Sequence, residues 1–206
     1  MGKIGRKVLM LCCILAVLTL APAGSALAYT HSAAVTYADR WANGFNPVYL
    51  HWDSDCANFV SQCLRAGAYP LVNPPSNTDY DWWYTWSLSG TPTWSLTWST
   101  APHLRKFLVN DMPGGWEWFQ YVQPCAIPQS VNIWAGDVVV YDWDGDSWGD
   151  HVSIKIGEGY DPNSWPSGSL VDAHTHARYH VIWHLRPYNQ YQWAARYWGD
   201  HVDPAN

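Results

Sequence analysis

The chain is poor in cysteine and in positive charge, and it holds a single long hydrophobic run. Five cysteines occur among 206 residues. Cys12 and Cys13 lie inside the apolar run 8–20, behind Lys3, Arg6 and Lys7, and the small residues "SALA" end at Ala28. That pattern is a secretory signal, so residues 1–28 are read as a leader and the mature chain as starting near Tyr29. The run is short for a membrane span and no second one follows, which excludes a spanning helix in the mature protein. Three cysteines then remain, Cys56, Cys63 and Cys125. The odd count leaves at least one thiol unpaired within the chain, and a compartment outside the membrane permits disulfides without demanding them. Basic side chains are also scarce: beyond the leader there are 8, against 17 acidic ones, a net charge of −9. This balance argues against nucleic acid and anionic membranes as main partners.

Tryptophan is abundant. All 16 fall beyond the leader, in roughly 178 residues, enough for one domain with a proper core. So many indoles exceed the needs of such a core. Some are expected to line an exposed groove, where aromatic faces suit sugar rings or peptide backbones.

Periodicity divides the mature chain. "SAAVTYADRWANG" (32–44) reads as a helix capped by Ser32 and stopped by Asn43-Gly44. In "DSDCANFVSQCLRAG" (53–67), Cys56, Phe59, Val60, Cys63 and Leu64 share one helical face, with Ser54 or Asp55 as cap and Gly67 as stop. Residues 69–99 are rich in Pro, Ser, Thr and Trp and read as an aromatic insertion with a hairpin near Gly90. "TAPHLRKFLVND" (100–111) predicts a short helix with Pro102 in its first turn, and 112–131 reads as loop. Then the period changes to two. Strands are predicted at 137–143, 151–157, 169–175 and 178–185, the first two joined as a hairpin through "DGDSWGD". Helices followed by an antiparallel sheet indicate one α+β domain over 29–206.

Cys56 opens the second helix, where unpaired N–H groups and the helix dipole favour a thiolate. It needs a base. "WGDH" occurs twice, ending at His151 and at His201. His151 begins an alternating strand and is held at a sheet edge. His201 lies five residues from the chain end, where fraying is expected. His151 is therefore the candidate base. A third polar group should orient its ring, and "LVDAHT" offers Asp172 and His174 on one face of the adjoining strand.

The blocks "DCANFVSQCL", "GDVVVYDWDGD", "DHVSIKIG" and "DAHTHARYH" resemble the putative amidase domain family of exported bacterial proteins. That family belongs to the papain-like group with the NlpC/P60 and CHAP peptidases. The resemblance runs from about Ser32 to about Pro187. It implies a papain-like fold in which the nucleophile helix packs on an antiparallel sheet. It also implies Cys56 as nucleophile, His151 as base and His174 as the third polar residue. His176 stands where the family often has Asn. An upstream Tyr helps hold the oxyanion in the NlpC/P60 relatives, and Tyr49 is the candidate here, beside the Cys56 backbone N–H. The implied chemistry is acyl transfer from an amide to Cys56, then hydrolysis of the thioester, with cell-wall peptides as the expected substrate outside the cytoplasm.

Blander readings stand beside these. A cysteine on an apolar helix face is usually a small core residue, as Cys63 is expected to be. Cys63 and Cys125 are possible disulfide partners. Asp142, Asp144 and Asp146 alternate as calcium ligands do, but the glycine and glutamate of an EF-hand loop are missing, and a plain turn accounts for them equally. His174, His176, His180 and His184 lack a thiol or carboxylate close in sequence to complete a zinc set. No cofactor is implied. A papain-like fold without catalysis would serve instead as a wall-binding module, and transfer to an amine is a third outcome for the same residues.

Overall fold

The computed structural model describes residues 29–202, apart from 77, 79, 80, 112–115, 124, 125, 165, 166 and 191. Residues 1–28, where a leader is expected, and Cys125 lie outside the described residues.

The first helix, α1 (His31–Trp41), presents Ala34 and Ala38 inward, small enough for close approach to its neighbours. Its N-cap position is Thr30, and Ser32, the expected cap, lies inside the first turn. The second helix, α2 (Cys56–Ala66), ends at Gly67 as expected. Gly67 is required by proximity: a Cβ there would stand 2.3 Å from the Tyr29 ring. The left-handed turn that follows falls on Ala68, at φ 69°.

Residues Cys56 to Leu64 of α2 are all buried, the polar ones included. The aromatic insertion explains this. It forms the hairpin β1 (Tyr84–Trp86) and β2 (Pro92–Trp94), then α3 (Leu96–Ser99), capped by Ser95; the helix expected at 100–111 follows as α4 (Ala101–Lys106), which runs on into a π-helical turn to Asp111. The insertion's indoles satisfy the polar side of α2. Trp98 Nε1 donates to Asn58 Oδ1 at 2.7 Å, and Trp82 Nε1 donates to Ser61 Oγ at 3.0 Å. Trp82 and Trp98 are fully buried. Much of the tryptophan surplus is therefore core, and neither of those two rings lines an exposed groove.

One sheet of six antiparallel strands completes the α+β architecture, in the order β3-β8-β4-β5-β6-β7. The strands are β3 (Trp116–Val122), β4 (Val138–Asp142), β5 (His151–Gly159), β6 (Gly168–Ala173), β7 (Arg178–Ile182) and β8 (Arg196–His201). Val138, Val140, Val152 and Ile154 meet α1 and α2 on one face. Val139, Tyr141, Val171 and Trp183 form a second core on the other. β3 replaces the loop expected at 116–122. Residues 196–201, despite the fraying expected at His201, form β8 and run between β3 and β4. His201 is buried there, and its Nδ1 lies 3.0 Å from Asp137 Oδ2. Asp137 also accepts from the backbone N–H of Trp134 and Val202, so it fastens the strand end. No helix among the described residues is long and apolar enough to cross a membrane.

Candidate active site

Cys56 is the first residue of α2 and only 5% exposed. Its thiol takes hydrogen bonds from the Val152 and Ala57 backbones and from the Thr175 side chain, which draw its pKa down. Burial outweighs them, and the Asp55 carboxylate adds to it, so the thiol titrates above its ordinary value. This reverses the direction expected of a helix N-terminus alone. The dipole acts on a group that has lost its water and faces a carboxylate.

Asp55 holds the N-cap position, but its side chain does not cap α2. It accepts from Trp52 N–H at 3.1 Å and Asn58 Nδ2 at 2.8 Å, and its other oxygen meets His174 Nδ1 at 2.8 Å. The second ring nitrogen of His174 lies 2.9 Å from the Trp41 carbonyl. The ring also stacks on Phe59 at 4.0 Å. His174 is thus occupied on both edges and one face, and it does not orient His151. It ties the end of α1 to the residue before Cys56.

Strand register explains the separation. Ile154 pairs with Asp172, and directly paired residues share a face. Asp172, and His174 two residues on, therefore lie on the α2 face with Val152. His151 points to the other face, 5.4 Å from the Tyr141 ring and 6.4 Å from Trp143. No hydrogen bond joins it to Cys56. Burial, with Arg178 and His176 nearby, pushes its pKa down to about 4, so the ring is neutral through the physiological range. Asp172 receives the His180 backbone N–H at 2.7 Å, and burial pushes its carboxyl up to about 6.

Two clefts meet beside these groups. Cys56, Thr100, Pro102, Trp148 and Gly149 line one of about 440 Å³. His151, Thr175, His176, Arg178 and Asn189 line the other, of about 410 Å³. Ser54 and Asp150 line both. Trp148 is 56% exposed and supplies the aromatic wall, from outside the expected insertion. Tyr49 lines neither cleft. It packs on Tyr84 and Trp98, at 5.0 and 5.8 Å.

Thr175 was not legible as a functional residue. It is β-branched yet sits at φ 76°, a costly conformation for such a side chain. Its hydroxyl accepts from Asp55 N–H at 3.1 Å and also reaches the Cys56 thiol. Cys63 is a buried free thiol. In the β4–β5 loop each acidic residue of the calcium-like series engages backbone N–H groups. Asp142 accepts from Gly145 and Ser147, Asp144 from Asp146, and Asp146 from Trp148. Those bonds account for the spacing as turn structure, although the three carboxylates are close enough together to hold an ion.

The chain belongs to the "Putative amidase domain" family, whose model matches residues 28–201. That description points to hydrolysis of amides. The chain is 30% identical over 179 residues to uncharacterized protein YhbB of Bacillus subtilis strain 168, covering 87% of this chain and 52% of that one. It is 29% identical over 141 residues to uncharacterized protein YjcM of the same organism, covering 64% of this chain and 29% of that one. The chain thus spans about half or less of the curated relatives it matches. No solved structure matches it.

Proposed function

We propose that this protein is a thiol-dependent amidase acting outside the cytoplasm, on amide bonds of cell-wall peptides, with a fold of the papain-like, NlpC/P60-related kind. The observation that carries this reading is the position of Cys56. It begins α2 on the wall of a cleft, bonded to Val152, the residue directly after His151.

The resting pair is neutral on both sides, thiol and imidazole. The substrate amide lies where the two clefts meet, at Ser54 and Asp150. Cys56 Sγ attacks the carbonyl carbon as its proton passes to His151 through water at the junction of the two clefts. A ring of such low basicity, once protonated, is a strong acid. It hands the proton to the departing amine as the C–N bond breaks, leaving a thioester. Water then attacks, His151 takes its proton and returns it to the sulfur, and the free acid departs. The first-turn N–H groups of α2, which the Asp55 side chain leaves uncapped, face the developing oxyanion. His174 is a positioning residue that holds Asp55 and so the start of α2. Export is supported by the leader-like residues 1–28, and a peptide substrate by the polar cleft with Arg178 and Asp150.

One observation favours a second reading. Cys56 and His151 make no hydrogen bond with each other, while Trp148 offers an exposed ring. A wall-binding module without catalysis is consistent with both. The deciding experiment incubates the mature protein and Cys56→Ala with peptidoglycan fragments and follows products by mass spectrometry. Release of a free acid by wild type, abolished in the variant while wall binding persists, supports the amidase. An amide product supports transfer to an amine. Binding with no product from wild type supports the module.

A further inference from the structure

We infer that Asp39, Asp172 and His180 form a divalent-metal site of the zinc class, tying α1 to β6 and β7. Their ligand atoms all lie within 4.8 Å of one another. Each residue comes from a different element: Asp39 from α1, Asp172 from β6 and His180 from β7.

Asp172 points to a ligand most directly. Its side chain is fully buried, and one carboxylate oxygen takes the His180 N–H. The other, Oδ2, has no partner among the described residues. A buried carboxylate oxygen without a donor costs free energy, and a bound cation removes that cost. Asp137 makes a useful contrast. It also lies near two histidines, but both of its carboxylate oxygens receive backbone N–H groups, and His201 meets one of them as well, so this carboxylate needs no cation.

The backbone around His180 is arranged to present its ring. The β6–β7 register shifts between Val171 and Ala173, which places a bulge opposite Asp172. His180 itself takes φ 53°, and its Nε2 lies 2.8 Å from Asp39 Oδ1. Asp39 and His180 are both partly exposed, so an ion can enter and keep water on its open side. One imidazole nitrogen with two carboxylates suits zinc. Calcium prefers an all-oxygen shell. The ion would fasten α1 two residues before Trp41, whose carbonyl holds His174, so it would stiffen the wall of the candidate active site without touching substrate.

The test uses the full mature protein, stripped of metal with chelator, and ZnCl₂ as probe. Titration calorimetry and native mass spectrometry measure binding, and thermal denaturation measures its effect. One equivalent of zinc is expected, with a rise in Tm. Asp172→Asn and His180→Asn should each weaken binding at least tenfold and remove the Tm rise. Asparagine tolerates the positive φ at position 180, and circular dichroism confirms that each variant folds. The proposal is overturned if zinc does not bind below millimolar concentration. It is equally overturned if both variants bind as wild type does, if binding is lost instead in His31→Gln, or if CaCl₂ binds at these residues in preference to zinc.

Discussion

His174 and His151 lie at the ends of neighbouring strands but on opposite faces of one sheet, and their surroundings differ completely. His174 is gripped by Asp55, by the Trp41 carbonyl and by the Phe59 ring. His151 is enclosed by aromatic rings and basic groups that disfavour its protonation. The first environment fixes a side chain in place. The second leaves a neutral base at the rim of a cleft. A histidine that is fully hydrogen-bonded holds structure together, whereas one kept neutral and unengaged is available to move a proton.

The largest expected effects separate these roles. Cys56→Ala and His151→Ala should each lower amide hydrolysis by about 10³-fold or more while leaving the melting transition almost unmoved. His174→Ala should do the reverse. It leaves Asp55 Oδ2 without its His174 partner in a buried site, and the loss expected is about 1–3 kcal/mol in denaturant unfolding. If His174→Ala abolishes turnover without loss of stability, the division of labour between the two histidines is wrong.

A smaller effect tests burial of charge on the sheet. Asp200 has both carboxylate oxygens buried without hydrogen-bond partners among the described residues, and burial pushes its pKa up to about 8. In the unfolded chain it ionises near the ordinary value of about 3.9. Its contribution to stability is complete below that pH and is lost progressively as pH rises through about 8. Asp200→Asn carries no such proton. It should be more stable than wild type at neutral pH by about 1–3 kcal/mol, and the difference should vanish in acid. A pH-independent difference in denaturation midpoint would contradict this.

The smallest effect concerns the aromatic insertion. Trp98→Phe removes the bond to Asn58 and leaves that buried oxygen unsatisfied, at a cost of about 1–3 kcal/mol. Leu88→Ser, at the fully exposed tip of the β1–β2 hairpin, should change stability by less than about 0.5 kcal/mol. Equal losses from the two changes would mean that the insertion is not part of the core.

Much of this arrangement could be read from local pattern. The spacing of Cys56, Phe59, Val60 and Cys63 marked α2, and alternation marked β4 to β7. It also placed His151 and Val152 on opposite sides of β5. What local pattern does not carry is the register between strands. The pairing of Ile154 with Asp172 sets His174 on the Val152 face, away from His151. The Asp55–His174 bond spans 119 positions, beyond any periodicity. β8 was hidden for the same reason. A short strand at the chain end looks free until β3 and β4 close on both its edges. Tyr49 was placed by resemblance, and here its ring serves the packing of the insertion.

The most direct measurement is the rate of Cys56 alkylation as a function of pH, read by peptide mass spectrometry on the mature protein, with His151→Ala alongside. A buried thiol beside Asp55, with no bond to the neutral His151 ring, should react slowly at neutral pH. Its rate should climb only above the ordinary thiol pKa of about 8.5, and the His151 variant should follow the same curve. Rapid labelling near pH 6 that disappears in His151→Ala would reveal a preformed thiolate–imidazolium pair and contradict the neutral resting site.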